Sequence, residues 1–147
     1  VVIMTSNLGS GVARTGFNQG RAQAGSALSA VREHFRPEFF NRLDHVVPFA
    51  DLTPSALDQI VGLELQKLTD REGLRRRSLR LRVTTRARER LAELGFHPQY
   101  GARPLKRVLE ERIVIPLAVQ LSRRPKLEGA EVRVDCVNAD ITVELFG

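Results

Sequence analysis

Tyr100-Gly101-Ala102-Arg103-Pro104-Leu105-Lys106-Arg107 sets the frame for everything around it. Glycine followed by alanine leaves room for a tight turn, and Pro104 lacks a backbone N–H just where a helix start leaves that donor unused. The spacing predicts a long helix from Arg103, with Leu105, Val108, Leu109 and Ile113 on one face. Pro116 should kink it before Leu117 and Leu121 continue. The turn would deliver Arg103 to a helix N-terminus, where backbone N–H groups, the positive end of the dipole and a planar guanidinium all favour an anion.

Outward from this turn the chain reads as a small α+β unit. Upstream, Thr84-Thr85 caps a helix running to Leu94, with Gly95 placed for its C-terminal cap. Before that, Ser78 to Val83 alternates, Leu79, Leu81 and Val83 on one side and Arg80 and Arg82 on the other, as in a half-exposed strand. Thr53 is an N-cap with Pro54 at the first helical position, opening a helix whose Leu57, Ile60, Val61, Leu65 and Leu68 share a face. Downstream, two alternating strands, Glu131 to Val137 and Ile141 to Leu145, flank a turn at Asn138-Ala139-Asp140. Cys136 aligns with Val132 and Val134 on one strand face and reads as a buried, inert thiol.

The first fifty residues have a different character. Val1-Val2-Ile3-Met4 is an apolar run ending in Thr5-Ser6-Asn7, the pattern of a buried parallel strand that projects a polar side chain from its carboxyl edge. Such a strand needs neighbours on both sides, so the chain is expected to be a piece of something longer. Leu8 to about Ala24 is glycine-rich and reads as a loop. Ala27 to Phe35 is a short amphipathic helix, Glu38 to Leu43 a further helical turn behind Pro37, and Val46 to Phe49 a short edge strand. The boundary between the two parts falls near residues 49–53.

Composition narrows the function. At 147 residues the chain can bury a core without disulfides or a structural metal, and its single cysteine excludes a disulfide framework and fits a reducing, cytoplasmic setting. No apolar run approaches a membrane span. The net charge of +6 favours an anionic partner. His34, His45 and His97 lack ligand spacing, so no metal site is expected, and the common catalytic motifs are absent. A third cluster completes the set: Phe35-Arg36-Pro37-Glu38-Phe39-Phe40-Asn41-Arg42-Leu43-Asp44, in which aromatic residues anchor a short element with Arg42 at its end.

In this order, Thr5-Ser6-Asn7, the Phe35 to Asp44 segment and the Tyr100 to Arg107 turn resemble the second ATPase module of the Clp/Hsp100 AAA+ unfoldases, the family of ClpB, ClpC and ClpA. The resemblance implies an α/β architecture in two parts. Residues 1–50 would be the C-terminal end of the AAA+ large subdomain, a partial parallel sheet with helices, and 51–147 the α+β small lid domain with a short sheet. It implies that Asn7 is sensor 1, orienting the attacking water. Arg42 would be the finger inserted into a neighbouring subunit's site, and Arg103 sensor 2, touching the phosphates of its own subunit's nucleotide. ATP or ADP with Mg²⁺ would be the nucleotide, a hexameric ring the assembly, and unfolded or aggregated proteins the substrates. A ClpP-type peptidase would dock through Thr15-Gly16-Phe17, although threonine stands where that tripeptide carries an aliphatic residue. The P-loop lysine and the acidic Mg²⁺ and water-activating residues of the family have no counterpart here, so the isolated chain is expected neither to hydrolyse ATP nor to bind it tightly. Two other classes stay open: a nucleic-acid-binding module resting on Arg75-Arg76-Arg77 with Arg80, Arg82, Arg86, Arg88 and Arg90, and a purely structural oligomerisation domain.

Overall fold

A computed structural model describes residues 1–8, 20–98 and 100–147, with the backbone alone for 20–26. The chain divides into two compact units, Val1–Asp51 and Leu52–Gly147.

In the second unit, Thr53 accepts a hydrogen bond from the Ala56 N–H at 3.1 Å and Pro54 fills the first helical position, starting the helix Pro54–Thr69. It buries Val61, Leu65 and Leu68 at helical spacing. A short helix, Glu72–Arg76, follows and stops at Ser78, whose φ of 52° is the left-handed value. The Leu79 N–H reaches back to the Leu74 carbonyl and the Ser78 N–H to that of Arg75, while Leu74 and Leu79 are both buried, the bonding and contact pattern of a Schellman stop. Strand Arg80–Val83 then pairs in parallel with Glu131–Val137, which pairs antiparallel with Asp140–Phe146. Asn138 and Ala139 both take positive φ, as a two-residue hairpin turn requires, so Asp140 belongs to the strand and not to the turn.

Register places Leu81, Val132 and Leu145 side by side, then Val83, Val134 and Val143, then Cys136 and Ile141. That face packs against the helices, while Arg80, Arg82, Arg133 and Glu144 take the other. Between the parallel strands run the helix Thr85–Gly95 and a helical stretch in three pieces: Leu105–Leu109, a π turn Glu110–Val114, and Ile115–Ser122. The expected proline kink is replaced by this wider turn, in which the Ile115 N–H bonds the Glu110 carbonyl five residues back. A proline ring clashes with the carbonyl four residues before it, here that of Arg112, and a π turn relieves the clash without ending the helix. It has a second effect. Leu105, Leu109, Ile113 and Leu117 recur every four residues, a spacing that drifts around an ordinary α-helix, yet all four are buried because the wider turn brings the later pair back to the core side.

Further expectations are corrected. Gly95 has no positive φ and is no cap; it is the last residue of its helix and buried, and a Cβ there would lie 2.6 Å from Leu105 Cδ1. The helix after the turn begins at Leu105 and not Arg103. In the first unit, Val1–Met4 and Val46–Phe49 form no strand, and Val1, Val2, Ile3, Val47 and Phe49 are exposed: among the described residues the first unit holds no strand for either segment to pair with. Helices there run Gly20–His34 and Pro37–Phe40, the first beginning inside the stretch expected to be loop. Among the described residues, every buried one lies in the second unit.

Candidate phosphate-binding turn

Arg103 is presented by a loop that closes on itself. The His97 N–H bonds the Gly101 carbonyl at 2.9 Å and the Gly101 N–H returns to the His97 carbonyl at 2.7 Å, pinching the chain into a narrow bridge. Gly101 sits at φ +60°, a conformation costing an ordinary L-residue about 1–2 kcal/mol. The rings of His97 and Tyr100 stack at 4.8 Å across the bridge, and Leu52 covers it, 3.4 Å from where a Gly101 Cβ would stand. From there the Arg103 N–H reaches the Tyr100 carbonyl and the Leu105 N–H that of Ala102, handing the chain to the helix. Leu105 is then locked into the core against Gly95. The guanidinium is thus carried by a backbone fixed on both sides.

Around it lies a cavity of about 210 Å³ lined by Ile60, Glu64, Ala102, Arg103, Leu105 and Lys106. Glu64, the one carboxylate lining it among the described residues, accepts a 2.7 Å hydrogen bond from Lys67. That bond, helped by the charge of Lys106, holds its carboxyl below the usual glutamate range. Among the described residues neither Arg103 nor Lys106 makes an ion pair. Two exposed cations three residues apart, without a committed carboxylate, suit a polyanion such as a nucleotide phosphate chain. Sequence reasoning gave Lys106 no role; the signal was its place three residues after Arg103, on the same side of a helical turn.

In the first unit, Arg36 precedes Pro37 and its carbonyl accepts from the N–H groups of Phe39 and Phe40, winding one tight turn. Phe35 packs on Phe39 at 4.8 Å and the Arg32 guanidinium lies 5.2 Å over the Phe40 ring. The Arg42 N–H bonds the Phe39 carbonyl, so Arg42 follows directly on the aromatic turn, exposed, and among the described residues makes no ion pair, not even with Asp44. Asn7 is exposed at the end of the irregular first segment. Asn7 and Arg42 belong to the first unit and Arg103 to the second. Thr15-Gly16-Phe17 lies outside the described residues.

Four of the eight arginines in the arginine-rich run are answered by carboxylates of the same unit. Arg76 pairs with Glu72, Arg82 with Glu131, Arg90 with Glu93, and Arg88 grips both oxygens of Asp58 at 3.0 Å. Among the described residues no group of histidines, cysteines and carboxylates is placed to hold a metal, and no described helix is long and apolar enough to cross a membrane.

The three-stranded sheet under its helices, with a bridged glycine turn offering paired cations, defines a small α/β domain of the AAA+ kind. Residues 52–134 match the family model described as the C-terminal, D2-small domain, of ClpB protein, and the chain belongs to that family. It carries the small domain of a Clp-type AAA+ module. Similar proteins include chaperone protein ClpB of Corynebacterium glutamicum, 42% identical over 135 residues, with 92% of this chain and 14% of the relative covered. Chaperone protein ClpC4, chloroplastic, of Oryza sativa is 37% identical, covering 95% of this chain and 15% of the relative. The ATP-dependent Clp protease ATP-binding subunit ClpC of Staphylococcus epidermidis is 38% identical, covering 99% and 19%. The chain therefore spans less than a fifth of the length of these relatives.

Proposed function

We propose that this chain supplies three residues to ATP hydrolysis in the second module of a Clp/Hsp100 unfoldase or disaggregase, residues 1–50 being the end of its large subdomain and 51–147 its lid. Arg103 contacts the phosphates of the nucleotide bound in its own subunit, with Lys106 beside it. Arg42 reaches the nucleotide of the neighbouring subunit in a hexameric ring, and Asn7 orients the attacking water. The observation that carries the reading is the family match together with the fixed turn that presents Arg103, which makes no ion pair among the described residues. Phosphoryl transfer depends mainly on positioning and on neutralising charge, and a well-placed arginine finger is worth about 10³–10⁵ in rate, roughly 4–7 kcal/mol. Rotation of the small domain with nucleotide state would drive unfolded or aggregated proteins through the ring, in the cytoplasm. Docking of a ClpP-type peptidase at Thr15-Gly16-Phe17 is part of the same proposal. A nucleic-acid role loses half of its support from the run, because Arg76, Arg82, Arg88 and Arg90 are paired intramolecularly.

The test uses the full-length protein. Arg42→Ala should abolish stimulated hydrolysis by about 10³-fold while nucleotide binding persists; wild-type turnover would remove the trans assignment. Arg103→Ala should weaken binding of a fluorescent ADP analogue, with Arg103→Lys restoring part of it, and unchanged affinity in both would overturn the phosphate role. The 147-residue chain by itself should show no turnover and only weak binding of the same analogue.

A further inference from the structure

One end of the second unit keeps a positive charge that its own carboxylates do not answer. There the short helix Glu72–Arg76 faces the helix Ile115–Ser122 across a groove of about 460 Å³, within the range of about 300–1,000 Å³ usual for ligand pockets. Its floor is aliphatic: Leu74 and Leu117 are buried, and Val114 and Leu121 are half-buried. Arg71 and Arg77 border it. Arg71 is answered by Glu110 at 3.0 Å, but Arg77 donates to the backbone carbonyls of Pro125, at 2.9 Å, and Arg124, which leave its charge intact. Among the described residues Arg75, Arg123, Arg124 and Lys126 make no ion pair, and the adjoining 122–128 segment contributes a single carboxylate, Glu128.

An aliphatic floor bordered by the unneutralised Arg77, with Arg75, Arg123, Arg124 and Lys126 close to it in the chain, is complementary to one kind of ligand. We propose that this groove docks an acidic, leucine- or isoleucine-bearing segment of a partner protein, the aliphatic side chain entering between Leu74 and Leu117 and the carboxylates meeting Arg77 and its neighbours. Among the described residues no aromatic side chain lines the groove to stack on a nucleic-acid base. The inference is independent of the phosphate assignments, since none of its residues takes part in them.

The test is fluorescence anisotropy with the whole chain and a labelled peptide of about ten residues, two leucines flanked by aspartate and glutamate, at about 50 and about 200 mM salt. Binding should weaken severalfold at the higher salt. A peptide with lysine flanks, or with the leucines replaced by serine, should bind at least about tenfold more weakly. Gly73→Phe fills the groove from a wall position whose Cβ would meet no atom within 4 Å, and should abolish binding with an unchanged circular dichroism melt. Ala118→Trp blocks from the opposite wall should Gly73→Phe fail to fold. Arg77→Gln should cost affinity for the acidic peptide and flatten its salt dependence. Equal binding of the lysine-flanked peptide, or indifference to the filled groove, would overturn the proposal. So would self-association in sedimentation that Gly73→Phe removes, which gives the groove to a second copy, or displacement of the peptide by a single-stranded oligonucleotide.

Discussion

Thr84 joins two elements through one hydroxyl. Its Oγ1 accepts the Ala87 N–H at 3.2 Å, capping the helix Thr85–Gly95, and donates to Asp135 Oδ1 at 2.8 Å on the middle strand. Loss of such a cap costs about 0.5–2 kcal/mol, and in a domain of this size each kcal/mol moves the melting point by about 4–8 °C. Thr84→Ala should lower the thermal midpoint accordingly in a circular dichroism melt, and Thr84→Ser should recover most of the loss. Asp135 is the other half of the joint. The Thr84 hydroxyl, then the Cys136 N–H, and finally Arg133 at 3.2 Å hold its carboxyl below the usual aspartate range. A carboxyl lowered on folding favours the folded state when ionised. Its contribution is complete above the ordinary aspartate value of about 3.9 and is lost as the pH falls through the lower folded value. Melts between neutral pH and about pH 2 should therefore show a smaller acid-side loss for Asp135→Asn than for the native chain. The capping role of Thr84 was legible in sequence, because a cap needs only the next three residues; its bond to Asp135 spans 51 positions and was not.

Between elements, the decisive contact is Gly95 against Leu105. A Cβ at Gly95 would stand 2.6 Å from Leu105 Cδ1 and 3.0 Å from its Cα, so the backbone that starts the next helix would have to move. Overpacking of this kind costs about 1–3 kcal/mol. Gly95→Ala should lower the melting point, and its backbone NMR shifts should change at Gly101 and Ala102 as well as at Leu105, because the displaced helix start drags the Arg103 turn with it. Unchanged shifts at Gly101 would show that the bridge with His97 is rigid on its own. Sequence reasoning took Gly95 for a helix cap, a sound reading of glycine after an apolar run, but a glycine required for space looks the same on paper as one required for its φ. The π turn was hidden for a similar reason. Pro116 announced a disturbance, and the choice between a kink and a wider turn depended on keeping Leu105, Leu109, Ile113 and Leu117 on a single core.

At the scale of the molecule, the core formed by the described residues lies in the second unit, from Val61 to Val143. Residues 52–147 produced alone should therefore unfold in one cooperative step, with a calorimetric enthalpy of about 60–80 kcal/mol, as expected for a domain near 100 residues. A gradual melt would show that the first unit contributes packing the core requires. The first unit is a different case. Its apolar Val1–Met4 and Val46–Phe49 have the composition of strands but find no strand to pair with among the described residues, and a strand cannot form its hydrogen bonds alone.

By itself the sequence determined what depends on near neighbours: the caps at Thr53 and Thr84, the in-and-out alternation of the three strands, the hairpin at Asn138, and the three short motifs that pointed to the Clp/Hsp100 family. These follow from the periods of helix and strand and from side chains that bond backbone a few residues away. The tertiary structure alone decided that Gly95 is a space-keeper, that a π turn absorbs Pro116, that Lys106 stands with Arg103 over one cavity, and that four arginines of the run are paired while Arg77 borders an aliphatic groove. Each of those is a relation between distant positions, set by which surfaces the core brings together, and no local period encodes it.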